Sequence, residues 1–323
     1  MTDPRWRRWL RRHDRAALAT TVLVLAGVLL AALAPPARAG RYVVAQCDRA
    51  NRAYTDARFE RVNPGDYAFG FRCEEDESAS SLQIHPITGA PAGRFGRISW
   101  AAPPSAKIVG VSGEARLRND SGQQARLSFL DPNGNEVGRI ATGSDSPGGF
   151  EPFSRQLTDG GRDRFGAGLN CVAAGGCPYT DQARAWIRSV RLTINDPAPP
   201  GVGLSGALTA TGWHRGTEVL SVFAGDFGSG IRRIDVSVNG NGGVPPAQGF
   251  ECSVIPGSQV ATRTQPCAAS RTVSAALDTR RAPFVDGINR LLACAHDYGV
   301  GGQQGCAVAE VRVDNAPPEV AFA

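Results

Sequence analysis

Lysine is almost absent from this 323-residue chain, and so is any excess of positive charge beyond its N-terminal segment. Of the 35 basic residues, only Lys107 is not arginine. Residues 1–39 hold seven arginines and two aspartates, so residues 40–323 carry 28 basic and 28 acidic side chains. Nucleic-acid-binding proteins carry a basic surface. The balance of charge therefore argues against nucleic acid as a partner.

Several motifs of enzyme chemistry are also missing. The sequence has no G-x-S-x-G nucleophile elbow, no phosphate-binding glycine loop and no C-x-x-C pair. His85, His214 and His296 are far apart in sequence, and only His296 has an adjacent carboxylate, Asp297. We interpret that pair as a solvated or capping feature of a hairpin. These absences argue against a nucleotide cofactor, structural zinc and serine-hydrolase chemistry.

The N-terminal segment has the three parts of an export signal. A basic stretch at residues 5–15 precedes an apolar run at residues 16–34, and Ala37-Arg38-Ala39 forms an A-x-A cleavage motif. We expect a signal peptide at residues 1–39 and a mature chain that begins at Gly40. The apolar run is also just long enough to span a bilayer, so an uncleaved membrane anchor is the alternative.

All eight cysteines follow this segment, and an even number in an exported chain predicts disulfides. They are Cys47, Cys73, Cys171, Cys177, Cys252, Cys267, Cys294 and Cys306.

Two Pro-Pro pairs divide the chain. The same order of strand, Asp/Asn, Pro-Pro and strand occurs twice, in VRLTINDPAPPGVGL (190–204) and in VRVDNAPPEVAF (311–322). The two Pro-Pro pairs are 118 residues apart. Proline lacks a backbone donor, so neither pair continues a central strand. We expect domains at residues 40–196 and 197–323. The second pair either opens a further module or precedes an end strand that docks back.

The second domain is predicted to be an antiparallel sandwich of around seven strands. Apolar and polar side chains alternate in four segments, residues 217–224, 231–238, 289–295 and 306–313. Turns that contain Gly, Asn and Asp separate these segments. No window sustains a helical period.

Three segments of this domain resemble the bacterial immunoglobulin-like repeats of secreted surface proteins. They are FAGDFGSGIRRIDVSVNG (223–240), DGINRLLACAHDYG (286–299) and VRVDNAPP (311–318). The repeat has a D-x-x-S-G-I turn, a D-G-x-N strand entry, an Asp-rich hairpin and a closing V-D-N-x-P-P. The resemblance implies an Ig-like sandwich and says little about function. This chain departs from the pattern by its four cysteines, one pair flanking a Gly-rich hairpin tip and one pair bracketing an insertion.

The first domain is predicted to be a jelly-roll-like β-sandwich. Its candidate strands are residues 41–45, 68–73, 81–84, 96–101, 107–111, 125–130, 136–142, 150–157 and 186–194. Alternation in the last strand predicts that Trp186 shares the buried face of Val190. The stretch GRISWAAPPSAKIVGV (96–111) is similar to segments of secreted actinobacterial proteins with lectin-like sandwiches. The predicted fold class is all-β, a jelly-roll-like sandwich followed by an Ig-like sandwich.

Four cysteines fall in each domain, which leaves three connectivities per domain. We predict pairing of nearest neighbours: Cys47 with Cys73, Cys171 with Cys177, Cys252 with Cys267, and Cys294 with Cys306.

The densest carboxylate run is Glu74-Glu75-Asp76-Glu77. Glycoside hydrolysis uses two carboxylates that face each other across a cleft, whereas consecutive residues of an extended chain point to opposite sides. We interpret the run as an acidic surface loop, with calcium binding as an intermediate option.

Calcium is the one cofactor that the sequence leaves open. Asn195-Asp196 and Asp314-Asn315 resemble the Asp-Asn-x-Pro linkers of cadherins, which take further carboxylates from a neighbouring domain. The candidate ligands are Asp226, Asp297 and Asp314. The favoured alternative is that these residues form the turns that precede proline.

Binding is the functional class that remains. Trp100, Tyr54 and Tyr67 are the candidate ligand-binding aromatics, because Trp and Tyr stack on sugar rings, although a core position is favoured for Trp100. We expect an exported, non-catalytic protein, secreted or at the cell surface, that binds a carbohydrate or a cell-envelope component through its first domain. A secreted carbohydrate-active enzyme and a structural spacer are the alternatives. Membrane contact is expected only through an uncleaved signal segment.

Overall fold

The computed structural model describes residues 40–48, 59–62, 65–73 and 81–316. Throughout this part of the chain, every regular element longer than three residues is a β-strand, which confirms the predicted all-β class. No helix in the described ranges is long and apolar enough to cross a membrane. The signal segment, Tyr54, the acidic run at residues 74–77 and Pro317-Pro318 lie outside the described residues.

Two antiparallel sheets form the first sandwich. In chain order its strands are β1 (Gly40–Gln46), β2 (Glu60–Val62), β3 (Tyr67–Phe71), β4 (Leu82–Pro86), β5 (Phe95–Ala101), β6 (Lys107–Arg118), β7 (Gln123–Leu130), β8 (Glu136–Thr142), β9 (Glu151–Gln156), β10 (Arg164–Cys171) and β11 (Arg184–Asp196). Strands β2, β5, β10, β7 and β8 form one sheet in that order, and the other six lie in the second sheet. Their inward-facing apolar residues share one core.

Strand β10 does not stand out in the sequence, because glycine weakens the strand signal. Gly166 and Gly168 face outward in this strand. A Cβ at Gly166 would lie 2.9 Å from Cδ of Arg97, and a Cβ at Gly168 would lie 2.6 Å from the carbonyl oxygen of Gly96. Glycine is therefore needed where β5 and the Arg97 side chain approach β10 closely.

A β-bulge in β11 reverses the predicted orientation of Trp186. The pairing of β11 with β6 shifts near Ser189, whose φ is 51°. Val190 is fully buried, whereas Trp186 is half-buried on the outer face. The guanidinium carbons of Arg116 and Arg184 lie 5.1 and 5.9 Å from its ring centroid. The prediction of a buried Trp186 is wrong, because one extra residue inverts the alternation beyond it.

The second sandwich follows at residue 201. Its strands are β12 (Gly201–Ser205), β13 (Trp213–His214), β14 (Thr217–Gly225), β15 (Ile231–Val238), β16 (Asn241–Gly242), β17 (Gln248–Gly249), β19 (Ser270–Asp278), β20 (Gly287–Asp297) and β21 (Gln304–Val313); the intervening β18 (Val260–Ala261) pairs elsewhere. One sheet has the order β12-β14-β19, and the other has the order β13-β21-β20-β15 with β16 and β17 beside β15. The short β13 pairs with β21 in parallel. A second apolar core lies between the two sheets.

The insertion between Cys252 and Cys267 packs on the first sandwich. Its strand β18 pairs in parallel with β1. The hydroxyl of Tyr42 donates to the carbonyl of Thr264 at 2.6 Å, and the amide of Gln46 donates to the carbonyl of Thr262 at 2.7 Å. Cys267 belongs to the first core. A segment from the second half of the chain therefore completes the first sandwich.

Four disulfides staple these elements, and they are the four predicted pairs. They join Cys47 to Cys73, Cys171 to Cys177, Cys252 to Cys267, and Cys294 to Cys306. The last bridge links β20 to β21 next to the Gly-rich hairpin tip. Four disulfides are typical of a protein that resides in an oxidising compartment.

Candidate functional site

A groove of about 970 Å³ opens on the second sandwich. We call it the hairpin groove, because the β20–β21 tip at residues 296–302 forms one wall. Arg232 and Arg233 of β15 contribute from the sheet, the end of β17 and the segment after it contribute residues 249–251, and the insertion contributes residues 252, 254, 258 and 259. Cavities of this volume are typical of small-molecule binding sites.

A β-bulge places the two adjacent arginines on the groove side of β15. Ile231 pairs with Asp297 and Arg233 pairs with His296, so Arg232 is an extra residue between successive pairs. In a regular strand one of two neighbouring side chains faces the core. Here both arginines are exposed. Bulges often lie beside binding sites because they redirect side chains in this way.

Arg233 belongs to a fixed polar row. Its Nη2 lies 2.7 Å from Oδ2 of Asp235, and Nε2 of His296 lies 2.9 Å from the same oxygen. The cross-strand pairing of Arg233 with His296 holds the row in register. The carboxylate of Asp235 is thereby engaged by two partners.

Arg232 is placed differently, over an aromatic ring. Its guanidinium carbon lies 5.9 Å from the ring centroid of Tyr298, and it forms no ion pair with any described residue. Burial raises the pKa of Tyr298, and the charge of Arg232 opposes this shift. The Tyr298 hydroxyl is buried without a hydrogen-bond partner in the described part of the chain. The Arg232 guanidinium thus remains available to a ligand.

The end of β17, the segment after it and the start of the insertion, residues 249–259, supply the facing wall. Phe250 is partly buried, and the guanidinium carbon of Arg271 lies 4.8 Å from its ring centroid. Glu251 is exposed, and Ser258 donates to the carbonyl of Ile255 at 2.8 Å, which closes a turn beside the groove. The groove therefore combines aromatic surface with a few charged and polar groups, the composition that orients small polar ligands.

The aromatics chosen from the sequence lie elsewhere. Trp100 is 1% exposed, with its ring 5.8 Å from that of Phe165 and its Nε1 donating to Oε1 of Gln46 at 3.3 Å. Tyr67 is also 1% exposed, and its hydroxyl donates to Oε1 of Gln123 at 3.0 Å. Both rings belong to the first core, so neither presents a face to a ligand. Tyr54 lies outside the described residues.

The first sandwich does present one tryptophan at a sheet surface, Trp186. Gln83 of β4 and Arg116 of β6 are its cross-strand neighbours. This placement could not be predicted from the sequence, because the bulge at Ser189 has no strong sequence signal.

The structure brings together two of the three predicted calcium ligands. Asp226 and Asp297 are buried close to Asp196. Burial raises the pKa of Asp297 to about 7, and the negative charges of Asp196 and Asp226 add to this shift. Burial likewise raises the pKa of Asp226. Asp314 is exposed and follows β21 at the opposite end of the β20–β21 ladder.

These carboxylates do not form a coordination shell. Across the described ranges, no group of three or more His, Cys, Asp or Glu side chains is arranged to hold a metal ion. Calcium binding by Asp226, Asp297 and Asp314 stays a prediction.

No protein-family model matches the chain, and no curated protein matches it. Among solved structures, a mutant of the family 29 carbohydrate-binding module CBM29-2 is 13% identical, with a TM-score of 0.29 over 48% of this chain and 92% of that one. The glycoside hydrolase domain of Endo-D from Streptococcus pneumoniae is 10% identical, with a TM-score of 0.28 over 79% of this chain and 37% of that one. A tandem of CBM22 domains from Paenibacillus barcinonensis Xyn10C is 12% identical, with a TM-score of 0.27 over 68% of this chain and 80% of that one. Similarities this weak do not indicate a ligand or a reaction for this chain.

Proposed function

We propose that this protein is exported and binds a carbohydrate or another cell-envelope ligand without catalysis, and that the hairpin groove is the binding site. The observation that carries the proposal is the chemistry of the groove. The partly buried ring of Phe250 lines the groove together with the guanidinium groups of Arg232 and Arg233, whereas Tyr298 is 8% exposed and lies beneath Arg232 as part of the first core. Sugar rings stack on aromatic faces, while their polar edges accept hydrogen bonds.

The ligand class that fits best is an acidic glycan, one that carries carboxylate or phosphate groups. Arg232 has no carboxylate partner among the described residues, and Arg233, which lines the same groove, adds the guanidinium donors that its ion pair with Asp235 does not use. Guanidinium groups bind carboxylate and phosphate in a bidentate manner, which gives both affinity and orientation. Glu251 on the facing wall accepts hydrogen bonds from sugar hydroxyls.

This site differs from the one expected from the sequence, which assigned ligand binding to the first domain. The expected platform rings there, Trp100 and Tyr67, are core residues. The groove is nevertheless built partly by the insertion, which packs against the first sandwich.

The carboxylates of the groove favour binding over hydrolysis. A glycosidase needs one carboxyl group as acid and a second, opposed one as base or nucleophile. Oδ1 of Asp297 accepts from the backbone amides of Gly299 and Gln303 at 3.1 and 2.8 Å, so this carboxylate organises the hairpin tip. Asp235, which does not line the groove, is held by Arg233 and His296. Glu251 is left without an opposed catalytic partner among the described lining residues.

A glycan array probed with the mature chain tests the proposal. We expect binding to glycans that contain uronate or phosphate groups, weakening with added salt because the interaction is electrostatic. Arg232→Ala should weaken binding by about tenfold or more, the effect of losing a hydrogen bond to a charged group. The affinity of Arg232→Lys should lie between those of the parent chain and Arg232→Ala, because lysine keeps the positive charge but lacks the planar guanidinium group.

Arg290→Ala is the matched control. Arg290 is an exposed arginine of the same sheet, on β20, outside the groove. The Arg290→Ala variant should bind glycans with the affinity of the parent chain. The array should be repeated with and without calcium. Equal effects of the two alanine variants would contradict the assignment of the groove. Release of shortened glycans would favour the enzyme alternative, and an array without any bound glycan would favour a structural spacer.

A further inference from the structure

Three buried aspartates meet where the first strand, the end of β11 and the hairpin tip come together. Asp196, Asp226 and Asp297 are 0%, 4% and 1% exposed. None of them forms an ion pair with a described basic side chain. A buried negative charge without a partner is costly, so a compensating positive group is expected nearby.

Most oxygens of the cluster are satisfied by backbone amides. Ser229 donates to Oδ2 of Asp196 at 2.7 Å, and Gly228 and Gly230 donate to the two oxygens of Asp226 at 2.9 and 2.6 Å. Oδ2 of Asp297 is the exception. It is buried and has no hydrogen-bond partner within the described ranges.

Gly40, the first described residue, lies against this oxygen. A Cβ on Gly40 would be 3.0 Å from Oδ2 of Asp297 and 3.3 Å from Cα of Gly299. Because N and Cβ of one residue are about 2.5 Å apart, the nitrogen of Gly40 lies within about 5.5 Å of the same oxygen. The amide of Val300 donates to the carbonyl of Arg41 at 2.7 Å, which ties the first strand to the hairpin tip.

Gly40 is also the residue that follows the A-x-A motif of residues 37–39. We propose that cleavage of the Ala39–Gly40 bond creates an α-ammonium group on Gly40 that pairs with the buried carboxylate of Asp297. The reaction is hydrolysis by the export peptidase. Water adds across the peptide bond, Ala39 leaves with a carboxylate, and Gly40 keeps the amine, which takes up a proton.

The pairing follows from the local geometry. While Ala39 is attached, the planar peptide bond fixes the Gly40 nitrogen and leaves it one hydrogen at most to donate. After cleavage the nitrogen has three donors and a positive charge, and it turns freely about the N–Cα bond. It then supplies both the donor that Oδ2 lacks and the charge that the cluster lacks. Signal removal thus completes the junction between the hairpin tip and the first sandwich.

Two chains that differ by one residue at the start test this pairing. One begins at Gly40 and the other at Ala39, each released from an N-terminal fusion and oxidised to four disulfides. The extra residue moves the ammonium group away by about 3.8 Å. We expect the Tm of the Gly40 chain to be higher by roughly 3 to 8 °C. We also expect its α-amine to react more slowly with an acylating reagent than that of the Ala39 chain.

Asp297→Asn in both chains should abolish the difference in Tm, whereas Asp314→Asn, at an exposed aspartate, should preserve it. The difference in amine reactivity gives a second readout should the Asp297 variant fold poorly. Equal Tm values for the two parent chains, a difference that survives Asp297→Asn, or N-terminal sequencing of exported protein that finds a start other than Gly40 would each overturn the proposal. Calcium that stabilises both chains equally through Asp297 would overturn it as well, by assigning Oδ2 to a metal.

Discussion

Trp100 and Trp186 are both strand tryptophans of the first sandwich, and one backbone irregularity separates their environments. Trp100 lies on a regular strand and packs in the core. Trp186 precedes the bulge at Ser189 and turns to the outer face, where Arg184 covers part of its ring. The environments of the two rings differ although the residue type is the same. Each environment depends on the side of the sheet that the ring occupies.

Arg184 also affects the pKa of a neighbouring histidine, His85. Burial lowers the pKa of His85, and the positive charge of Arg184 lowers it further. We expect Arg184→Gln to raise the pKa of His85 toward its ordinary value of about 6.5. An NMR titration of the imidazole signals measures this. Arg290→Gln, remote on the second sandwich, should leave the His85 titration unchanged.

The sign of the accompanying stability effect follows from linkage. The folded pKa of His85 lies below its unfolded value, so the unfolded chain binds the proton more readily. The contribution of neutral His85 to the free energy of unfolding is therefore complete above about pH 6.5, and it is lost as the pH falls through the folded pKa. Urea unfolding at pH 7 and pH 5 should show a smaller loss in Arg184→Gln than in the parent chain. An equal loss in both would contradict this account.

At the scale of single elements, the insertion joins two functions. It forms part of one wall of the hairpin groove, and its strand β18 extends the first sandwich. The Cys252–Cys267 bridge closes its base. Its position explains why an irregular, Pro- and Ser-containing segment is ordered: its carbonyls accept from Tyr42 and Gln46.

Removing this bridge should release the insertion. We expect Cys252→Ser with Cys267→Ser to lower the free energy of unfolding by about 2 to 4 kcal/mol. Hydrogen exchange of the amides at residues 260–262 should also become faster, because the open loop no longer holds β18 against β1.

Cys294→Ser with Cys306→Ser is the control for this prediction. The sequence separations of the two bridges, 15 and 12 residues, are similar, so their effects on the entropy of the unfolded chain are similar. Only the first double variant should speed exchange at residues 260–262. The same local acceleration in both would mean that general destabilisation is the cause.

At the scale of the whole molecule, the two sandwiches are not independent. Ala261 and Cys267 from the insertion and Tyr298 from the hairpin tip belong to the first core. The described residues from Gly40 to Ala316 also belong to a single compact unit. Unfolding of the second sandwich would therefore expose part of the first core to water.

This coupling predicts one calorimetric transition for the chain from Gly40 onward. Ala261→Asp, which puts a charge into a fully buried position, should detach the insertion and separate the trace into two transitions. Val260→Asp, at the half-buried neighbouring position, should keep a single transition. Two transitions in the parent chain would contradict the coupling.

Regular strands and disulfide pairs could be predicted because both depend on residues that are close in sequence. Strands β8 and β15 begin and end where alternation predicts, and neighbouring cysteines pair. The outward face of Trp186 and the two groove-facing arginines could not be predicted, because a single inserted residue at a bulge reverses the alternation.

The sequence by itself determined that this protein is all-β and that its eight cysteines pair with their neighbours, and it predicts an export signal before Gly40. These properties depend on local periodicity, loop length and composition, which the order of residues carries directly. Only the tertiary structure decided that Tyr67 is a core residue, that an insertion completes the first sandwich, and that Gly40 lies beside Asp297. The last two outcomes depend on contacts between residues more than 200 positions apart, as in the pairing of Arg41 with Val300, and no local pattern encodes such contacts.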